Sequence, residues 1–309
     1  MPSNQPHARP KAMPMTNRPQ DPLLARFSRV IAHIDANPNN PLDLAELAGI
    51  AGYSPFHFHR QFAALFDITA TRYVRLVRMR RAAHSLLFRK STSITDIAFD
   101  AGFENAESFS RAFRKLHAQS PSDFRRHPDW DGWQTPYEKL KRVRRDTMPI
   151  DATSTITIID FPETRTACMD HIGPPGRIGE TIQRFIAWRK IHHLHPSKHA
   201  TFNILWCNPE DTPPDAFRMG LAVATNQNLT DQDRETGLTR ITLPAGRYAK
   251  LRHIGSDQTL GDSALALYRD WLPQSGETPG DFPLVFQRIA FYPDVAEHEA
   301  ITDILLPLA

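Results

Sequence analysis

Cysteine is nearly absent: the 309 residues contain two, Cys168 and Cys207, 39 positions apart. That excludes a disulfide scaffold and every cysteine-rich zinc pattern, and it predicts a reducing, cytoplasmic setting. No run approaches the ~20 apolar residues that a spanning helix needs, and the start of the chain has no apolar signal core, so neither a membrane partner nor export is expected. Acidic residues are missing from positions 1–20, where five prolines and three basic residues stand with almost nothing large to bury. This segment reads as a disordered tail. Gly-x-Ser-x-Gly, His-Glu-x-x-His and phosphate-loop patterns are lacking too. The carboxylates Glu163, Glu180 and Asp262 are equally at home on loop and helix surfaces, so no catalytic residue is assigned. His192, His193, His195 and His199 cluster, but adjacent ring positions on a helix point apart and no acidic residue stands among 190–200. Neither a metal nor a cofactor is therefore expected.

What is present is an uneven distribution of charge. Residues 1–150 carry 23 Lys/Arg against 14 Asp/Glu, whereas residues 151–309 carry 14 against 20, so a formal +3 conceals a basic half of +9 and an acidic half of −6. A basic half points to a polyanion, and only that half should face it. The length fits two domains.

Over residues 21–127 the apolar positions fall at helical spacings, which predicts an all-α domain. It contains one design twice: Leu44, Leu47-Ala48 and Ala51-Gly52-Tyr53 return 50 positions later as Ile94, Ile97-Ala98 and Ala101-Gly102-Phe103. Phe58-x-Arg60-x-Phe62 returns as Phe109-x-Arg111-x-Phe113. Each copy reads as helix, glycine turn, helix. Asp43 with Glu46 and Ser93 with Asp96 predict capping boxes, Gly52 and Gly102 supply the turns, and Ser54-Pro55 opens a second helix. Phenylalanine stripes take the inner faces, leaving Phe56, His59, Arg60, Glu107, Ser110 and Arg111 on or beside the outer ones. Such a pair of helix-turn-helix units suits major grooves, and an arginine-rich helix from about Thr71 to Arg89 would hold them about one DNA turn apart. Membrane surfaces call for a uniformly basic helix face, which these motifs do not offer. Residues 128–153, polar and broken by Pro and Gly, read as a linker with at most one short element.

At Thr155-Ile156-Thr157-Ile158-Ile159 the pattern changes to β-branched residues that pack on a pleated surface. Residues 154–309 repeat at an offset of 82: Ile159, Pro162, Arg165, Ala167, His171-Ile172-Gly173 and Gly179 recur as Ile241, Pro244, Arg247, Ala249, His253-Ile254-Gly255 and Gly261. The pattern predicts an α+β domain of two β-α-β-β repeats sharing one sheet, with both helices on one face and a groove at the pseudo-twofold seam.

With these motifs in view, residues 23–126 resemble the DNA-binding domain of the AraC/XylS family of transcription regulators. Ile94-Thr-Asp-Ile-Ala-Phe-Asp-Ala-Gly-Phe103, Ser108-Phe-Ser-Arg-Ala-Phe-Arg-Lys115 and Ser120-Pro-Ser-Asp-Phe-Arg-Arg126 carry the likeness. It implies double-stranded promoter DNA as partner, with Phe56, His59 and Arg60 reading one major-groove segment and Ala106, Glu107, Ser110 and Arg111 the next. It also brings in RNA polymerase as a further partner and a place on the nucleoid. Residues 154–309 resemble the GyrI-like effector-binding domain through Leu243-Pro-Ala-Gly-Arg-Tyr-Ala-Lys-Leu-Arg-His-Ile-Gly255 and Thr302-Asp-Ile-Leu-Leu-Pro-Leu308. That likeness implies a small organic effector in the groove. Trp206, Tyr248, Phe286 and Tyr292 are expected to line it, with Gln287 where a family glutamate would stand, which favours a neutral or anionic ligand, although an aromatic cage could still hold a cation. A GyrI-like small-molecule hydrolase or protein-sequestering module fused to a DNA-binding domain is the alternative.

Overall fold

The computed structural model describes residues 22–37, 39–40, 42–147, 156–208, 211–292 and 294–309. The tail predicted over residues 1–20 lies outside them. Eight helices come first: α1 (Pro22–Ala36), α2 (Leu44–Ala51), α3 (Pro55–Phe66), α4 (Ala70–Phe88), α5 (Ile94–Asp100), α6 (Ala106–His117), α7 (Pro121–Arg126) and α8 (Glu138–Thr147). The 50-residue repeat is visible in the backbone itself. Gly52 and Gly102 take left-handed φ of 72° and 78°. Beyond them the Tyr53 amide donates to Ala48 O at 2.9 Å, and the Phe103 amide to Ala98 O at 3.0 Å. Such reversals favour glycine because it has no Cβ.

The caps differ in one respect from the expectation. Ser93 Oγ accepts from the Asp96 amide at 3.0 Å and donates to Asp96 Oδ2 at 2.6 Å. Asp43 caps Ala45 N at 3.3 Å, but Glu46 turns to His33 Nε2 at 2.9 Å rather than back to its own cap. Phe58, Phe62 and Phe66 of α3 gather around Phe27 of α1, with ring centroids 5.6–5.9 Å apart. In α6, Phe109 packs on Phe113 and Phe113 on Phe124 of α7, with ring centroids 5.5 and 5.2 Å apart.

The expected linker is in large part a structural member. Trp133, Tyr137, Leu140 and Val143 are buried in the same core as α1 to α7, and α8 packs against α1. Its composition misled because only one side of a strongly charged helix is apolar. Leu140 and Val143 are enough to anchor it, with Arg144 buried beside them.

The second half runs β1 (Thr157–Phe161), β2 (Thr164–Ile172), α9 (Ile178–Ile191), β3 (Thr201–Leu205), β4 (Arg218–Ala224), α10 (Asp231–Glu235), β5 (Leu238–Leu243), β6 (Gly246–Ile254), α11 (Leu260–Ala266), α12 (Leu272–Ser275), β7 (Leu284–Ala290) and β8 (Ile301–Pro307). The strands form one antiparallel sheet in the order β1-β6-β8-β7-β3-β4-β2-β5. This order reads the same from either end once the copies are exchanged. The first strand of each copy pairs with the second strand of the other, β1 with β6 and β5 with β2. The repeat reaches side-chain detail. His171 Nδ1 meets Thr181 Oγ1 at 2.9 Å and its Nε2 meets Pro174 O at 3.1 Å. Eighty-two positions on, His253 meets Ser263 Oγ at 2.8 Å and Ser256 O at 3.2 Å.

The two halves are docked. Gln183 Nε2 donates to Leu87 O at 2.7 Å, Arg89 pairs with Asp294 at 3.2 Å, and the rings of His84 and Tyr292 lie 4.8 Å apart. Between them Arg144 is buried, with its guanidinium 2.7 Å from Asp35 of α1 and 2.8 Å from Glu297 of the second domain. Arg80 of α4 also pairs with Glu297, and Ser256 Oγ donates to Glu297 Oε2 at 3.2 Å. Burial pushes the Glu297 carboxyl up, but Arg144 and Arg80 override it and hold it below the ordinary carboxylate range. At Asp35 burial outweighs Arg144, and the carboxyl sits above its usual value.

Candidate DNA-reading surface and effector cavity

α3 and α6 each begin on a side-chain cap, Ser54 to the His57 amide at 3.4 Å and Asn105 to the Ser108 amide at 2.8 Å. With Phe58, Phe62 and Phe66 of α3 and Phe109 and Phe113 of α6 facing inward, Phe56, His59 and Arg60 of α3 and Glu107 and Arg111 of α6 are exposed, while Ala106 and Ser110 are half-buried. The Arg60 guanidinium lies 4.8 Å from the Phe56 ring centroid, which presents the two as one unit. Ser110 Oγ donates to Ala106 O at 2.7 Å, so its hydroxyl proton is committed to its own helix. Arg114 and Lys115 join Ser110 and Arg111 around a shallow basic hollow. The sequence reading passed over those two, although they follow Arg111 by three and four positions on the same helical face. Joining the units, α4 has 19 residues, a span of about 28 Å that approaches one turn of B-DNA. Not all its arginines serve that side, since Arg80 is turned to the second domain.

The large cavity, ≈ 1090 Å³, lies over the central strands of the sheet and between α9 and α11. Leu205 of β3, Met219 of β4 and Leu284 and Phe286 of β7 form its floor; Ile178 and Ile182 of α9 face Leu260 and Ala264 of α11 across it. The helical domain closes the remaining side with His84, Trp133, Tyr137 and Glu138. Of the residues expected at the groove, Trp206, Phe286 and Tyr292 line this cavity. The Trp206 indole is fixed by its Nε1–H donating to Asp170 at 3.1 Å and by Arg218 lying 4.6 Å from its ring centroid.

Tyr248 and Gln287 are not in it. Gln287 is next to Phe286, and adjacent strand residues point to opposite faces. Its cross-strand neighbours are Phe202 and Asp303, whereas Phe286 stands opposite Asn203 and Ile304. Tyr248 packs with Phe161, Phe202 and Val285 on the opposite face of the sheet, where its hydroxyl donates to Pro244 O at 2.9 Å and burial pushes it up to about 12. The sequence reading missed His84, Trp133 and Tyr137 because they belong to the other domain. Burial lowers His84 to about 3, with Arg80 and Arg89 acting the same way, so its ring is neutral against Tyr292.

Neither cysteine is set up as a nucleophile. Burial and the neighbouring Asp170 push the Cys168 thiol up, while Cys207 Sγ accepts from the Arg218 amide at 3.1 Å. Among the histidines weighed as metal ligands, His192 pairs with Asp233 at 3.1 Å and His199 contacts Ala224 O at 3.2 Å. No helix among the described residues is long and apolar enough to cross a membrane.

Paired helix-turn-helix units fused to a duplicated sheet domain with a half-open cavity define a DNA-binding regulator that carries a small-molecule-binding domain. Comparison with known proteins agrees. Residues 154–309 match the GyrI-like small molecule binding domain and residues 47–127 a helix-turn-helix domain. The chain belongs to the GyrI-like family, joined to a DNA-binding domain of the AraC type. "Probable transcriptional regulator YgiV" of Escherichia coli K12 is 32% identical over 158 residues, 51% of this chain and 98% of that protein. "Right origin-binding protein" of the same organism is 34% identical over 102 residues, 32% of this chain and 34% of that protein. "Bifunctional transcriptional activator/DNA repair enzyme AdaA" of Bacillus subtilis is 38% identical over 96 residues, 31% of this chain and 45% of that protein.

Proposed function

We propose that α3 and α6 read two successive major-groove segments of promoter DNA, and that a small organic effector in the interdomain cavity sets how well they do so. Phe56, His59 and Arg60 serve the first segment, and Ala106, Glu107, Ser110 and Arg111 serve the second. Trp206, Phe286 and Tyr292 serve the effector. The observation that carries the DNA-reading part is the pair of side-chain-capped helices that bury Phe58, Phe62 and Phe66 in one and Phe109 and Phe113 in the other and leave Arg60 and Arg111 in solvent. Guanidinium groups at those positions suit guanine O6/N7 or phosphate. RNA polymerase acting at the same promoter, and a place on the cytoplasmic nucleoid, come with this reading through the family likeness.

The reading is non-enzymatic: Cys168 is held in its protonated state and the buried cavity carboxylate Glu297 is engaged by two arginines. Selection from a random duplex library, followed by anisotropy titration of the selected and scrambled duplexes across a salt series, tests it. A preference of about 10³-fold or more for the selected duplex is expected. Equal affinity for both would contradict sequence reading, and turnover of a soluble ester would restore the hydrolase alternative.

A further inference from the structure

We infer that the effector cavity is a two-domain site, built to hold a neutral, planar aromatic molecule that offers an acceptor oxygen to the helical domain. This rests on the effector-binding reading above and specifies its ligand.

The first observation is an unpartnered donor. Trp133 belongs to the helical core, is 7% exposed and lines the cavity, yet its indole Nε1–H has no acceptor among the described residues. Gln258 Oε1 of the second domain, also in the lining, lacks a donor in the same way. A buried polar atom left without a partner is destabilising, so a ligand that brings an acceptor oxygen to the Trp133 N–H gains a directional hydrogen bond at a site already desolvated.

The second observation comes from the internal repeat. Gly179 at the start of α9 is covered by the Trp130 indole, so closely that a Cβ there would collide with the ring. Its counterpart 82 positions on, Gly261 at the start of α11, lines the cavity and has no atom within 4 Å of a built Cβ. The first copy therefore shows what this glycine surface accommodates: a flat aromatic ring lying on the helix. The same surface in the second copy faces the cavity.

The third observation is charge. Glu297 is matched by Arg80 and Arg144, Asp257 by Arg288 and Asp262 by Arg145. Of the other cavity-lining charges, the carboxylates Glu138 and Asp281 are exposed at the rim, and Lys141 stands one helical turn from Glu138. The cavity floor of Leu205, Met219, Leu284 and Phe286 carries no fixed charge to select an ion.

The probe for the test is 6-propionyl-2-(dimethylamino)naphthalene, a neutral naphthalene ketone whose emission shifts to the blue in apolar surroundings. The full-length chain is titrated with it, and with anionic 8-anilinonaphthalene-1-sulfonate and cationic tetraphenylphosphonium as comparators. The neutral ketone should bind more tightly than either ion. Trp133→Phe, which keeps a ring and removes the N–H, should weaken it about 3- to 10-fold, the loss of one hydrogen bond. Gly261→Leu should abolish it. Since Trp133→Phe could disturb folding, the indole N–H resonances of the 15N-labelled wild type provide a second readout, in which the ketone should move the Trp133 signal downfield. Ketone binding that is lost in Gly261→Leu but unchanged in Trp133→Phe, with the Trp133 signal unmoved, overturns the two-domain site and leaves the effector-domain reading intact. Tighter binding of either ion overturns the neutral class. If no probe binds while DNA recognition persists, both this inference and the effector reading of the cavity fail.

Discussion

Arg144→Met is expected to lower the unfolding free energy by about 3–5 kcal/mol, the penalty for leaving the buried Asp35 carboxylate without its guanidinium and Glu297 with Arg80 but without Arg144. Arg144 is 1% exposed and holds Asp35 and Glu297 at 2.7 and 2.8 Å. Asp35 is 5% exposed and belongs to the helical domain, whereas Glu297 belongs to the sheet domain. Losing the guanidinium therefore strains both the helical core and the docking of the two domains. Glu297→Gln should be milder, because the Asp35 pair survives and only the link to the second domain is cut. Replacing all three groups by apolar residues of similar size should recover much of the loss, since a buried ion network contributes more to specificity of arrangement than to net stability. Denaturant midpoints of the single, double and triple variants measure these differences. A midpoint for Arg144→Met within about 0.5 kcal/mol of wild type would show that Arg144 is not the keystone of the docked arrangement.

Arg60→Ala and Arg111→Ala should each weaken binding to the selected duplex by about 1–3 kcal/mol, roughly 5- to 150-fold, if each guanidinium makes a bidentate base contact. The two positions lie on separate units joined by α4, so the double variant should lose nearly the sum of the single effects. The salt series separates the two roles an arginine can take. Loss of a base contact relaxes discrimination at one position and leaves the slope of log K against log salt in place. Loss of a phosphate contact weakens all duplexes alike and reduces that slope by about 1. Arg114→Ala and Lys115→Ala, which line the basic hollow beside Arg111, should behave in the second way. Unchanged affinity in both Arg60→Ala and Arg111→Ala would remove α3 and α6 from the reading surface.

Much of this architecture is legible in the residues because it is written twice. Gly52 and Gly102 stand where the backbone must turn left-handed, and His171 and His253 stand where a ring must bridge a loop carbonyl to a helix hydroxyl. A repeat lets two weak local signals confirm one another. The strand swap between copies is different: nothing local in β1 tells whether it pairs with β2 or with β6, because both offer antiparallel neighbours. α8 was obscured by its own charge, with Leu140 and Val143 too few to announce a buried helix. Gln287 was placed with Phe286 by family likeness, although the two-residue period of a strand puts them on opposite faces. Tyr248 is an aromatic on or beside a strand like the other expected lining residues, yet Phe161 and Pro244 O already engage its ring and its hydroxyl on the opposite face. The cavity's upper wall was the least accessible part. His84 meets Tyr292, and Trp133 comes to share a cavity lining with Gln258, only after two domains have docked, and sequence spacing carries no trace of such neighbours.

The most direct test of a ligand-responsive DNA reader is reciprocal linkage in one preparation of the full-length chain. Its affinity for the selected duplex is measured with and without saturating naphthalene ketone, and its affinity for the ketone with and without saturating duplex. Because both ligands act on one docked arrangement, each should change the other's affinity by the same factor, about 5-fold or more in either direction. Two factors of one, with each ligand binding as though the other were absent, would contradict the account.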